Sequence, residues 1–227
     1  FPLQLKGQQV FKNAPFDVTK SALSNTFFNR WDSIKNNIML NWVDVTDEKC
    51  KYGMALFSDH TTTYTHGEEF PLGLNLQYSG PGLWGRNYSI NGPTRVHYAL
   101  VPHKGRWDEA GIWRESDGWN EPMVASMEQG ETAAPFSLLD MGNAGWELSA
   151  VFMDGDDCVV RLFNAEGKTN EQQLSFGFKT DKVLMTELDG SVIQDLRVVQ
   201  GGNNKSVVSL SIPKFGVRTL RFTGVKK

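Results

Sequence analysis

Lys182-Val183-Leu184-Met185-Thr186-Glu187 and Ser191-Val192-Ile193-Gln194-Asp195-Leu196-Arg197-Val198-Val199 flank the dipeptide Asp189-Gly190. Asp-Gly accepts the positive φ of a tight turn, and the apolar-rich runs on either side make the segment a hairpin. The same grammar spreads in both directions. Downstream, Gln200-Gly201-Gly202-Asn203-Asn204 marks the next reversal, and Val208, Leu210 and Ile212 then alternate as one face of a strand. A turn at Lys214–Gly216 leads into Leu220 and Phe222. Upstream, Asp154-Gly155-Asp156-Asp157 precedes a strand over Cys158–Phe163. Turns this closely spaced predict a small β-sandwich over 137–227.

Ahead of that sandwich, Ser126–Pro135 is polar, small and Pro-terminated, with no strand alternation. It predicts a boundary, with a linker over 129–136 and a larger, aromatic-rich β region over 1–128. In that region Val96-His97-Tyr98-Ala99-Leu100 predicts a strand with Val96, Tyr98 and Leu100 on one face, and Leu72–Tyr78 predicts another. Helical periodicity is weak. Trp107–Arg114 suits a turn or two of helix, and Thr19–Trp31 stays open between loop and short helix. The fold class expected is all-β.

Composition agrees. The 227 residues include 22 Gly, 14 Phe, 7 Trp and 5 Tyr, a mixture that favours strands and tight turns. A chain of this length buries roughly 70–75% of its unfolded surface and needs no staples. The formal net charge is −3, and no basic run exceeds Lys226-Lys227, which argues against nucleic acid as a partner. No window approaches the roughly 20 apolar residues of a membrane span, so no membrane partner is expected. Cys50 and Cys158 lie far apart and read as two buried free thiols, although an oxidising compartment would let them pair. Phe1 opens in mid-pattern without Met or signal peptide, so the chain is expected to be a fragment.

Gly80-Pro81-Gly82-Leu83-Trp84-Gly85 fits G-x-G-x-x-G, but Arg86-Asn87-Tyr88-Ser89-Ile90-Asn91-Gly92-Pro93 follows, full of turn formers. No helix N-terminus is in place to hold a pyrophosphate, so the glycines shape a loop and nucleotide binding is rejected. The histidines fall in two spaced pairs, His60/His66 and His97/His103, with Asp59, Glu68 and Glu69 nearby. A helix would put each pair on different faces, and a strand would hold it about 20 Å apart, so no zinc site is expected here. Glycosidases use two carboxylates about 5 Å apart when retaining and about 6.5–9.5 Å apart when inverting. Glu68-Glu69 and Asp108-Glu109 are sequence neighbours that point to opposite faces of an extended backbone. G-x-S-x-G, H-E-x-x-H and G-x-x-x-x-G-K-[ST] are all absent, and no catalytic residue is assigned.

The aromatic residues remain. Trp84, Trp107, Trp113 and Trp119 lie with Tyr78, Tyr88 and Tyr98 between Gly-rich stretches, suited either to stacking on sugars or to filling a β core. Gly-bordered Trp84, beside Arg86 and Asn87, is the best surface contact. Asp59 and His66 complete the set of sugar-rim candidates. Asn87-Tyr88-Ser89 and Asn204-Lys205-Ser206 are glycosylation triplets of a kind that also occur by chance.

Several stretches resemble the C-terminal β part of family 38 glycoside hydrolases, the α-mannosidases. Asn41-Trp42-Val43-Asp44-Val45-Thr46-Asp47 and Tyr52-Gly53-Met54-Ala55-Leu56-Phe57-Ser58-Asp59 resemble the family's W-V-D-L-S-D and Y-G-x-A-L-x-x-D. Tyr98-Ala99-Leu100-Val101-Pro102-His103 with Gly105 and Trp107 is similar to Y-A-L-x-P-H-x-G-x-W, and Trp119-Asn120-Glu121-Pro122 to F-N-x-P. Leu148-Ser149-Ala150-Val151 and Val160-Arg161-Leu162-Phe163-Asn164 resemble L-S-A-V and V-R-L-Y-N of the closing sandwich. The likeness runs from about Trp31 to the C-terminus.

This resemblance implies part of a large β-supersandwich of galactose-mutarotase-like type, followed by a smaller C-terminal β-sandwich. It implies a retaining, zinc-dependent α-mannosidase whose zinc, Asp and His ligands and nucleophilic Asp belong to an N-terminal α/β catalytic domain. No cofactor is then expected in this fragment, and its partners would be that catalytic domain and mannosides or glycans. Some members place an arginine of the β domain near a G-L-G loop; here Arg86 follows Gly82-Leu83-Trp84-Gly85. A secretory, periplasmic or lysosome-like compartment is favoured over the cytoplasm. The alternative is an autonomous carbohydrate-binding β-sandwich.

Overall fold

The structure is a computed structural model, and it describes the chain except for residues 22–37, 68–70, 78, 82–84, 122, 126, 128–136, 143–144, 203–204 and 226–227. The chain divides into two compact units, Phe1–Pro122 and Met123–Lys227. The expected linker 129–136 lies outside the described residues.

The first unit runs β1 (Gln9–Ala14), β2 (Asp17–Ser21), β3 (Ile38–Met39), β4 (Trp42–Thr46), β5 (Tyr52–Ser58), β6 (Thr62–Thr65), β7 (Gly73–Leu74), β8 (Gly80–Pro81), β9 (Asn87–Tyr88), β10 (Tyr98–Lys104) and α1 (Ile112–Asn120). Its main sheet is antiparallel and five-stranded, ordered β10-β5-β4-β1-β2. Strands β3, β6 and β7 form a second small sheet, and β8 pairs with β9.

Every residue of β4 is buried. Neighbours on a strand point to opposite faces, so a strand buried throughout must be covered on both. On one face Val43 and Val45 pack with Val10, Leu56, Met39, Tyr64 and Leu72. On the other, Trp42 meets Trp107 and Trp113 at ring-centroid distances of 5.8 and 6.0 Å.

Two expectations need correcting in this unit. The strand read at 96–100 begins at Tyr98 and runs to Lys104, leaving Val96 outside it. Tyr98 and Leu100 do share a face, but it is the exposed one; Ala99, Val101 and His103 turn inward, opposite Phe57, Ala55 and Gly53. The helix lies at Ile112–Asn120 rather than 107–114, because Gly111 at φ 66° delays its start. Its buried positions are Ile112, Trp113 and Ser116, and a serine in the apolar stripe masks the period. Of the run 72–78 only Gly73–Leu74 is paired, and Tyr78 lies outside the described residues.

The second unit runs β11 (Leu139–Asp140), β12 (Trp146–Asp154), β13 (Asp157–Asn164), β14 (Asn170–Phe176), β15 (Lys182–Thr186), β16 (Val192–Leu196), β17 (Val199–Gln200), β18 (Ser206–Ile212) and β19 (Val217–Thr223). Two antiparallel sheets, β12-β13-β19-β15-β16 and β11-β14-β18-β17, enclose one core. The first supplies Val160, Leu162, Val183, Leu220 and Phe222, and the second Leu174, Phe176, Val208, Leu210 and Ile212. Phe222 and Phe176 meet edge to face at 5.0 Å. Each such ring or aliphatic side chain, fully buried, contributes about 1.5–3 kcal/mol.

The hairpin at Asp189-Gly190 is present, with Gly190 at φ 89° and the Asp189 carboxylate accepting the Ser191 amide at 2.9 Å. The run 191–199 is not one strand, however. It stays in one sheet to Leu196 and enters the other at Val199. Both cysteines are free; Cys158 is buried, whereas Cys50 is only half-buried. Among the described residues the fold is all-β but for one helix, and the second unit is a β-sandwich.

Candidate functional site

Asp59 follows β5 where its last residue, Ser58, stands opposite Tyr98 at the start of β10. The Asp59 amide donates to the His97 carbonyl at 3.2 Å, and Asp59 Oδ2 accepts the His97 amide at 3.0 Å. The same carboxylate reaches two imidazoles: Oδ1 lies 2.6 Å from His60 Nδ1, and Oδ2 lies 3.1 Å from His97 Nδ1. The His60 hydrogen bond first, then the His97 amide, hold the Asp59 carboxyl below its ordinary range. It is therefore a carboxylate at neutral pH, already fully engaged.

Beside it opens a groove of about 580 Å³, lined by Asp59, Val96, His97, Tyr98, Trp119 and Asn120. Trp119 is 38% exposed and Tyr98 50%, so both present ring surface to solvent. Trp119 is backed by Phe57, with ring centroids 6.2 Å apart. Asn120 Nδ2 donates to the Ser116 carbonyl one turn back at 3.1 Å, which orients the amide from its own helix. Among the described residues that line the groove there is no lysine or arginine. An exposed indole, an imidazole edge and a carboxamide suit an uncharged, polyhydroxylated molecule with one C–H-rich face.

Four of the five rim candidates are among the described residues. Asp59 lies in the groove. His66 is buried, hydrogen-bonded through Nε2 to Gln8 Oε1, and burial lowers its pKa. Arg86 is exposed; Asn87, also exposed, pairs with Pro81 in the β8–β9 hairpin. Trp84 lies outside the described residues, as do Glu68 and Glu69. Asp108 is engaged by Arg106, whose Nε donates to Oδ1 at 2.7 Å, and Glu109 accepts the Arg106 amide at 3.1 Å. Trp107 and Trp113 are core residues around Trp42.

The histidines regroup. Spacing sets His60 with His66 and His97 with His103, whereas folding joins His60 to His97 through Asp59. His103 instead faces Asp44, with Nε2 2.8 Å from Oδ1 in a buried pair. Gly53 makes room for it, since a Cβ there would meet the His103 ring at 2.5 Å. Sequence spacing does not join His97, Tyr98, Trp119 and Asn120. The β5–β10 ladder brings residues 58–59 beside 97–98.

Among the described residues, no group of three or more His, Cys, Asp or Glu side chains is placed to hold a metal ion. In the Asp59 cluster the carboxylate is hydrogen-bonded to His60 Nδ1 and lies 3.1 Å from His97 Nδ1. Neither a protein-family model nor a curated protein matches the chain.

Proposed function

We propose that this chain is the non-catalytic C-terminal β portion of a retaining, zinc-dependent α-mannosidase, and that its first unit lends side chains to the rim of the sugar site. The first unit then corresponds to part of a β-supersandwich of galactose-mutarotase-like type. The groove at Asp59 carries the reading: it combines exposed Trp119 and Tyr98 with a polar edge from His97 and Asn120, and it draws Asp59, Tyr98, Trp119 and Asn120 from three of the stretches that resemble the family. Sugars present C–H faces for stacking and hydroxyls for neutral donors and acceptors, which is the chemistry this groove offers. Cleavage of the glycosidic bond, the zinc and the nucleophile belong to the N-terminal catalytic domain in this reading.

The test is direct. The purified chain is expected to leave aryl α-mannosides intact and to bind zinc no better than a surface histidine pair. Turnover by the chain alone, abolished by a chelator, would overturn the proposal. A second reading, an autonomous carbohydrate-binding module, draws on the fact that the groove is built wholly from the first unit. That reading expects tight mannoside binding by the isolated chain in calorimetry, where a rim subsite gives only a weak signal.

A further inference from the structure

We propose that the excursion from Asn75 to His97 is a docking surface for another protein, one whose facing surface carries carboxylates around an apolar centre. The proposal goes beyond the sugar-rim reading and does not depend on it. The excursion is fastened at both roots. At one, the Asn75 amide donates to the Thr63 carbonyl at 3.0 Å and Thr62 Oγ1 donates to the Asn75 carbonyl at 2.7 Å, so the chain leaves from β6. At the other, the His97 amide donates to Asp59 Oδ2 at 3.0 Å. Among the described residues between these roots the only strands are β8 and β9, two residues each, with the Ser79 hydroxyl donating to the Tyr88 carbonyl at 3.3 Å. From Leu76 to Arg95 every described residue is exposed except half-buried Gly80. Connections this long with so little structure of their own are uncommon in compact domains, and ordered ones carry function.

What the segment carries decides what it meets. Its sequence holds Tyr78, Trp84, Tyr88, Arg86 and Arg95, and no Lys, Asp or Glu. That is the composition of the centre of a protein–protein interface, where aromatic residues and Arg are enriched and Lys, Glu and Asp depleted. Large apolar side chains stand in solvent: Leu76 is 54% exposed, Tyr88 47% and Ile90 41%. The charge is one-sided. No acidic residue occurs between Glu69 and Asp108, in a chain whose formal net charge is −3. Among the described residues neither Arg86 nor Arg95 makes an ion pair or a hydrogen bond. A guanidinium without a partner of its own is matched by a carboxylate across an interface, which fixes register as well as attraction. Two arginines without a lysine are too few for a phosphate backbone or an anionic bilayer, which call for clusters of about four or more cations. The partner is therefore an acidic protein surface. The sheet does not need these side chains, so the excursion is free to change with its partner.

The test uses the 227-residue chain, with displayed random peptides as the probe of partner chemistry. Selection is expected to enrich peptides that join Asp or Glu to aromatic or aliphatic residues. Binding of a synthesised member should weaken roughly tenfold in Arg86→Glu with Arg95→Glu, and again as salt rises from about 50 to 300 mM. Ile90→Asp should weaken it by a similar factor with both arginines in place. All three positions are exposed, so thermal midpoints should stay close to that of the wild type. Enrichment of neutral or basic peptides, or of none, overturns the proposal, as does acidic-peptide binding that survives the charge reversal. Charge reversal that weakens binding while Ile90→Asp does not reduces the surface to ion exchange and overturns it as well. A dimer in sedimentation, or binding to phosphatidylserine vesicles, that the charge reversal abolishes would overturn it in favour of a second copy or of lipid.

Discussion

At Gly53, Asp44 and His103 the first unit concentrates a demand that no single residue type reveals. Asp44 is fully buried, and its Oδ2 makes no hydrogen bond among the described residues. Burial pushes its carboxyl above the ordinary 3.8, outweighing the hydrogen bond and charge of His103. Burial alone would lower His103, but the hydrogen bond and charge of Asp44 carry it above the ordinary 6.5. Both groups hold their protons more tightly in the folded state, so both contribute stability that is lost as pH rises. The His103 contribution is present below 6.5 and fades as pH climbs through its raised value. In urea unfolding, the stability difference between wild type and His103→Asn should therefore shrink as pH rises above that point. Parallel pH dependences would rule out this pair as their source. Gly53→Ala places a Cβ 2.5 Å from the His103 ring and 2.9 Å from Thr46 Cγ2. An overpacked site of this kind costs about 1–3 kcal/mol, which a shifted urea midpoint will register. An unchanged midpoint would mean that His103 swings aside without penalty.

Strands β10 and β12 show what an edge position does to a pattern. Both end the order of their sheets. On β12 the side chains of Leu148, Val151, Phe152 and Met153 are exposed, and the strand carries neither lysine nor proline to discourage pairing with another chain. Val151→Lys with Met153→Lys is expected to reduce self-association in light scattering while changing stability by no more than about 0.5 kcal/mol per site. A larger loss would show that these side chains are covered. On β10 the shared face of Tyr98 and Leu100 is the exposed one. Alternation marks which residues share a face, and only the neighbouring elements decide which face is wet. In β18 the alternation of Val208, Leu210 and Ile212 is sufficient, because one face of that strand meets a single core. In β4 alternation is not, because Trp42, Asp44 and Thr46 are buried as fully as Val43 and Val45. The groove was less legible still. Its lining comes from residues 59, 96–98 and 119–120, which only the β5–β10 ladder and the delayed start of α1 bring to one place.

Taken whole, the chain is two units, each with its own sheets and its own buried cluster. Residues 123–227 are expected to fold alone, giving a cooperative thermal transition followed by circular dichroism. A broad, non-cooperative melt would show that this sandwich depends on the rest of the chain. Within it, Phe222→Ala removes a ring that touches both Phe176 and Phe178 and should cost about 3–5 kcal/mol.

Closure of the chain on itself at Asp59 and His97, 38 positions apart, also bears on how relatives of such a chain diverge. The described residues between them include both a buried and an exposed part. Tyr64 and Leu72 roof the sheet and are held by it, whereas Asn87 and Tyr88 stand out in solvent. Substitutions should accumulate quickly at the outer hairpin and slowly at that closure and the roof. Variation then has a place to act that leaves the sheet intact.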